Sequence, residues 1–246
     1  MNPKEKAEQI AEAFAQDYLE ETLGHDIFIG AFIEQLVTDE ANVIYHWVED
    51  PGYFGAALTS SENERFIVIN TYHPLRMRYF TAAHELWHLT KGSLYAGDDP
   101  NFDHERAADR FAAAVMMPKA LTKYLWRQFR KAYTPEMAVI HIADMAGVPY
   151  KAVARRLQEL NEKPVHLKWT EEQWGKCREA VGLNRTPLDM PLRGQHFTAY
   201  EKAVNQMVKE QELNKLSAAN KLSPYAPALA EQYQQEAAYK DRQNED

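Results

Sequence analysis

The chain of 246 residues has a single cysteine, Cys177, which excludes an internal disulfide framework and a cysteine-built zinc module. It also lacks long apolar runs, and no stretch approaches the ~18 residues that a membrane span needs. Met1 to Phe14 alternates Lys and Glu with Ala and has no apolar centre followed by a cleavage site, so it does not read as a secretory signal. There is no phosphate-cradling G-x-x-x-x-G-K loop and no G-x-S-x-G elbow, which leaves nucleotide and serine-hydrolase readings without support. Positive charge is in deficit: the net charge of −8 argues against a protein whose task is to hold nucleic acid nonspecifically. What is present is the balance of a soluble globular protein, 45% apolar and 26% charged. The length suits one large domain or two small ones, and the expected compartment is the cytoplasm, away from membranes.

Ala7, Ile10, Ala11, Phe14 and Tyr18 recur at helical spacing, with Lys4, Glu5, Glu8 and Glu12 on the other face. Ile27 to Val37 predicts a second helix. Residues 43–70 change character: Val43-Ile44-Tyr45, Tyr53 to Leu58 and Phe66 to Ile69 are β-prone runs, separated by the turn residues Asp50-Pro51-Gly52 and Ser60 to Asn63. They predict three antiparallel strands. Helices follow from about Leu75 to Thr90, stopped by Lys91-Gly92-Ser93, and from Asp103 to Met117, stopped by Pro118, with a polar loop, Gly97 to Asn101, between them. Further helices are predicted at 121–132, 135–146, 149–160, 169–181 and 199–216, and the polar end from Gln232 is expected to fray.

The informative stretch is His84-Glu85-Leu86-Trp87-His88, an H-E-x-x-H sequence inside a predicted helix. Residues four apart share a helix face, so both imidazoles can reach one metal ion. Glu85 sits beside them, close enough to hold a water yet angled away from direct ligation, as zinc hydrolysis requires. The bland alternative is a helix with two partly buried histidines and a surface glutamate. A hydrolytic zinc site wants a third protein ligand and an open position, and the candidate is Glu105, near the start of the next helix. Asp109, one turn further on, can accept the second ring N–H of a zinc histidine. Ala107, Ala108, Ala112 and Ala113 let the two helices pack closely. Against this stands a solvated, salt-bridged face of Glu105, Arg106, Asp109 and Arg110.

Phe80-Thr81-Ala82-Ala83-His84-Glu85-Leu86-Trp87-His88, followed by Glu105-x-x-Ala108-Asp109-x-Phe111-Ala112-Ala113 and Met116-Met117-Pro118, resembles the ImmA/IrrE family of zinc metallopeptidases. The strand ending in Ile69-Asn70 resembles it too, so that the likeness covers roughly residues 40–160. The resemblance implies that His84, His88 and Glu105 ligate one Zn2+, that Glu85 is the catalytic base and that Asp109 supports a ligand from behind. It also implies a thermolysin-like core and a protein substrate, often a phage- or mobile-element repressor. Trp87 departs from the family, which carries a small residue there; an indole at that place either packs into the core or narrows the cleft.

Tyr72, His73, Tyr79 and His104 are near enough in sequence to be considered as donors to the developing oxyanion, but none can be assigned. His25, His46, His141, His166 and His196 read as ordinary surface or core residues. Pro135 to Leu160 has the outline of a helix-turn-helix, but Glu136, Asp144 and Glu159 cancel Lys151, Arg155 and Arg156, so a packing or protein-docking role is favoured over DNA binding.

The expected architecture is α+β: a mostly helical, zincin-like core at 1–133 with a small three-stranded antiparallel sheet, a helix-turn-helix-like module at 134–161, and a helical C-terminal extension at 162–246. The expected function is a zinc endopeptidase of restricted specificity cutting a transcriptional repressor or similar regulator. The alternative is a metal-stabilised regulator that acts by binding DNA or a protein without proteolysis.

Overall fold

The computed structural model describes residues 3–24, 27–90, 92 and 101–243, with backbone alone at 240–243. The stop expected at 91–93, the loop expected at 97–101 and His25 fall wholly or largely outside these residues. Helix α1 (Pro3–Leu23) buries Ala7, Ala11, Ala15 and Leu19, a seam of small side chains four apart that lets a neighbouring helix approach closely. That neighbour is α4 (His104–Met116). Helix α2 starts at Ile33 rather than Ile27, after a single 3-10 turn at Gly30–Phe32, and ends at Glu40.

The sheet corrects the sequence expectation. It has four strands, β1 (Asn42–His46), β2 (Gly55–Thr59), β3 (Arg65–Asn70) and β4 (His196–Phe197), in the order β2-β3-β1-β4, and it is mixed. The turn at Ser60 to Glu64, closed by Ser60 N–H donating to Glu64 C=O at 2.8 Å, makes β2 and β3 an antiparallel hairpin with Ala57 opposite Ile67. Strand β1 runs parallel to β3, with Ile44 opposite Val68, so the hairpin folds outward and leaves β2 at the edge. Short β-prone runs do not say which of them are neighbours, and sheet order here differs from chain order. Strand β4 comes from far along the chain and closes the other side, antiparallel to β1. Val43, Tyr45, Ile67 and Ile69 point into the core in the alternation that a half-covered sheet requires.

Helix α3 (Leu75–Leu89) lies against β2 and β3 of this sheet, and α4 packs on α3. Next come α5 (Lys119–Phe129), α6 (Pro135–Ala146) and α7 (Tyr150–Glu159). Helix α6 is started by the Thr134 side chain, which accepts from Met137 N–H, and by Pro135 in its first turn. Gly147 stops it at φ +67. Two of the three cations of the helix-turn-helix outline are engaged inside the molecule. Arg156 is fully buried and forks onto Glu12 at 2.6 and 2.7 Å, and Arg155 pairs with Asp109 and Glu159.

Helix α8 (Glu171–Ala180) opens with a Thr170–Gln173 capping box and buries Trp174 in the same core as α1, α3 and α4, so one apolar core crosses residues 133 and 161. The single helix expected at 199–216 is two, α9 (Thr198–Lys209) and α10 (Lys215–Leu222). Gln211 breaks it at φ +63 and Asn214 caps the second by accepting from Ser217 N–H. Helix α11 (Pro227–Gln243) carries the polar end that was expected to fray. Val204, Ala218, Leu222, Ala226 and Ala230 form a second, smaller core among these last three helices. No helix among the described residues is long and apolar enough to cross a membrane.

Candidate metal centre

Helix α3 has two working faces. Its inner face buries Ala82, Ala83, Leu86 and Trp87. Trp87 is wholly enclosed, edge-on to Phe14, tilted on Phe111 and stacked with Phe102 at ring separations of 5.7 to 6.4 Å, so its indole belongs to the core and not to the cleft. The other face presents Met77, Phe80, Thr81, His84 and Glu85 to an open cleft of about 360 Å³. Helix α4 is started by Asp103, whose side chain accepts from Arg106 N–H at 3.0 Å, and this fixes where its first turn delivers Glu105.

Glu105 meets both histidines: its carboxylate oxygens lie 3.3 Å from His84 Nε2 and 3.5 Å from His88 Nε2. One donor atom from each of the three residues falls within 4.8 Å of the others, and no other such trio of His, Cys, Asp or Glu occurs among the described residues. Ligands at ~2.0–2.2 Å from a tetrahedral zinc lie about 3.4 Å apart, so the spacing around Glu105 suits a shared ion. The Glu105 side chain is 77% exposed, which leaves the trio open on its solvent side. Behind His84, Nδ1 lies 3.1 Å from Asp109 Oδ1, while the other Asp109 oxygen accepts from Arg155 at 2.9 Å. The Asp109 contact gives Nδ1 the proton and leaves Nε2 with a lone pair facing Glu105.

The electrostatics fit a cation. Three carboxylates, Glu85, Glu105 and Asp109, surround two imidazoles. Burial opposes a charged His84 ring, yet the Asp109 hydrogen bond and the charges of Glu85, Asp109 and Glu105 more than offset it and raise its pKa. His88 moves the opposite way: burial and the neighbouring His84 and His104 lower it, against Glu105. Burial would also raise Asp109, but its bonds to His84 and Arg155 and their charges hold it below the usual carboxylate range. The residues present therefore suit a divalent ion bound through neutral imidazoles and one carboxylate.

Glu85 is nearly buried, and burial and the charge of Glu105 raise its pKa. His84 and the backbone N–H of Ala57, which donates to its carboxylate, offset part of that shift. Ala57 lies on β2, so the edge strand runs directly along the catalytic candidate. Gly55 allows that approach: a Cβ there would sit 2.8 Å from Thr81 Cγ2 and from Val68 C=O, and 3.3 Å from Glu85 Oε1. Asn70, read from sequence only as part of the family likeness, pins the loop before β2. Its buried amide donates to Val48 C=O and Tyr53 C=O and accepts from Val48 N–H.

None of the four oxyanion candidates lines the cleft. Tyr72 packs edge-on to Trp47, His73 stacks on Phe54 with Nε2 at 2.8 Å from Tyr53 C=O, Tyr79 is buried near Glu34, and His104 packs on Phe102. Tyr53, which sequence reasoning passed over, does line it, and burial together with the Glu85 charge raises its phenol pKa. The signal available was a glycine two residues on, inside a β-prone run, which marks a close backbone approach. Among the remaining histidines, His46 contacts Gln195, His141 packs on Phe129 and Tyr133, His166 stacks on Trp169, and His196 pairs with Glu201.

Residues 45–158 match the model of the Peptidase_M78 family, described as the IrrE N-terminal-like domain, over just under half of the chain. The stretches His84 to His88 and Glu105 to Pro118 fall within this match, which is consistent with the ImmA/IrrE family and supports a metallopeptidase-like segment. No curated protein matches the chain.

Proposed function

From the IrrE N-terminal-like domain at 45–158 we propose that the chain is a zinc-dependent endopeptidase of restricted specificity that cuts a regulatory protein, such as a phage or mobile-element transcriptional repressor. The observation that carries the reading is the meeting of His84, His88 and Glu105 with Glu85 at their side. In this proposal 1–133 carries the chemistry, and 134–161 and 162–246 are the modules that brace it and engage the substrate protein. The repressor as target rests on the family likeness alone.

A zinc ion held by His84, His88 and Glu105 supplies Lewis-acid activation of water and of the scissile carbonyl. Asp109 keeps the His84 ring in the tautomer that frees Nε2, and Arg155 keeps Asp109 ionised. Glu85 takes a proton from the attacking water and returns it to the leaving amine, and the Ala57 N–H fixes its direction. Among the described strands β2 pairs only with β3, so its outer edge offers backbone groups to an extended peptide passing Glu85.

The test compares new protein N-termini in host cells carrying wild type or Glu85→Gln, with the zinc content of both proteins measured. One regulator cut by wild type alone, with one zinc per chain in each, supports the proposal. The same phenotype from both versions, with no new terminus from either, overturns it in favour of a regulator that acts by binding.

A further inference from the structure

The metal cleft continues into a second hollow that the proposed chemistry does not use. Along α3 the face that carries His84 and His88 extends back through Thr81 and Phe80 to Met77, at the same helical spacing. Along α4, Ala113 follows Asp109 by one turn, as Asp109 follows Glu105. Between these rows, under the start of α7, lies a pocket of about 200 Å³ lined by Met77, Phe80, Ala113, Pro149 and Ala152. It shares Met77, Phe80 and Asp109 with the cleft, so the two form one groove.

We propose that this pocket is a specificity subsite that receives one leucine-, methionine- or phenylalanine-sized side chain of the peptide, next to the scissile bond. The assignment rests on the endopeptidase reading above. Its chemistry follows from the lining. Met77 and Phe80 remain half-exposed although the rest of α3 is largely enclosed, and Ala113 and Ala152 leave room where larger residues would fill it. Three of the charged groups at the rim, Asp109, Arg155 and Glu171, are already engaged. Arg155 pairs with Asp109 and Glu159, and the Glu171 carboxylate accepts from the backbone N–H groups of Tyr150 and Lys151. A polar occupant would find few partners, whereas an apolar one removes methionine, phenylalanine and proline surface from water. Exposed Lys151 at the mouth disfavours a second cation in the pocket.

Two readouts test this, the first of them independent of proteolysis. In the first, Met and Ala methyl signals of Glu85→Gln protein are followed during titration with N-acetyl-leucinamide or N-acetyl-alaninamide. The leucine compound is expected to shift Met77, Ala113 and Ala152 and to bind about tenfold tighter, the scale of a few methylenes in an apolar pocket. In the second, wild type and Ala152→Phe are profiled on a library of proteome-derived peptides. Wild type is expected to favour a large apolar residue at one position beside the cut by about tenfold over alanine. Ala152→Phe, on a half-exposed helix surface, fills the hollow and turns that preference towards Ala and Ser, and Phe80→Ala widens it instead. Equal shifts by the two amides, or a cleavage profile that Ala152→Phe leaves unchanged, overturn the subsite. Selective leucine binding with no peptide cut overturns the endopeptidase reading and keeps the apolar pocket.

Discussion

The helices that carry the proposed metal donors and the helices that end the chain are built from different amounts of buried surface. Helices α3 and α4 bury Leu86, Trp87, Phe111 and Met116 in a core that also takes in α1, the sheet, α6, α7 and Trp174 of α8. Helices α9 to α11 share a core of five buried residues, three of them alanine, and meet the rest of the molecule mainly at β1 and β4. Strand β4 is two residues long, and beside it Thr198 Oγ1 donates to Val43 C=O at 3.2 Å. A fully buried large apolar side chain contributes roughly 1.5–3 kcal/mol and an alanine much less. Donor atoms that must hold position to within about half an ångström need the first kind of support. The terminal helices are therefore expected to open without disturbing them.

The largest expected effect comes from the metal. Zinc added to metal-free protein at about a thousand times its Kd stabilises the native state by ~4 kcal/mol through mass action. Hydrogen exchange should show that protection in α3 and α4 and almost none in α9 to α11. Equal protection in both regions would make the chain one cooperative unit and break the comparison. Stripping the ion with a chelator should abolish cleavage.

Next is Leu222→Ala. Leu222 is fully buried in the smaller core, and its truncation is expected to destabilise that unit by about 2–4 kcal/mol. Circular dichroism should then separate two thermal transitions, while zinc affinity stays within about twofold of wild type. A fall in zinc affinity in step with the lost helicity would show that the terminal helices support the site after all. Gly55→Ala acts on the other region: its Cβ meets Val68 C=O and Thr81, so the expected cost is ~1–3 kcal/mol of strain. The displaced edge strand also misdirects Glu85, and cleavage is expected to fall up to about 100-fold with zinc still bound. Unchanged kinetics would mean that β2 plays no part in aiming Glu85.

The same contrast explains what was legible in the sequence. His84, His88, Glu105 and Asp109 could be read because helical spacing alone puts each pair on one face, and the structure brings both pairs together. Gly55 marks a close backbone approach, but that Gly55, Ala57 and Tyr53 meet Glu85 could not be read, because the meeting depends on a strand packing against a helix. Helix positions were readable to within a few residues wherever a cap or a proline marked the end, as at Thr134 and Pro118. Strand order was not, since β1 and β3 run parallel only because the hairpin folds outward. A two-residue strand such as β4 has no periodicity to read. Trp87 was legible as a departure from the family pattern, but which side of α3 it served depended on Phe14, Phe102 and Phe111, none of them adjacent in sequence.

Carboxylate–cation pairs give the finest comparison, because both regions contain one. In the core, Glu12 receives two bonds from fully buried Arg156. Burial works against the charged carboxylate, but those bonds and the charges of Arg156 and Arg110 outweigh it and hold the Glu12 pKa below its ordinary value of about 4.3. A carboxylate whose pKa is depressed on folding contributes stability that is fully present above its unfolded pKa and is lost as the pH falls through the folded one. Between about pH 5 and the lower folded value, wild type should therefore lose stability more steeply than Glu12→Gln, whose side chain does not titrate. At pH 7 the substitution should cost about 1–2 kcal/mol, less than for a fully buried pair because part of Glu12 still meets water. Among the terminal helices Glu236 bonds Lys215 at 2.7 Å, and its pKa is also lowered, chiefly by that bond, but the pair stands in solvent. Glu236→Gln should leave both the urea midpoint and its pH dependence unaltered within error. If Glu12→Gln follows wild type through the acid limb, Arg156 is neutralised elsewhere, with Glu159 at 3.9 Å the nearest alternative; if Glu236→Gln departs from it, the smaller core is held by its surface charges more than by its alanines.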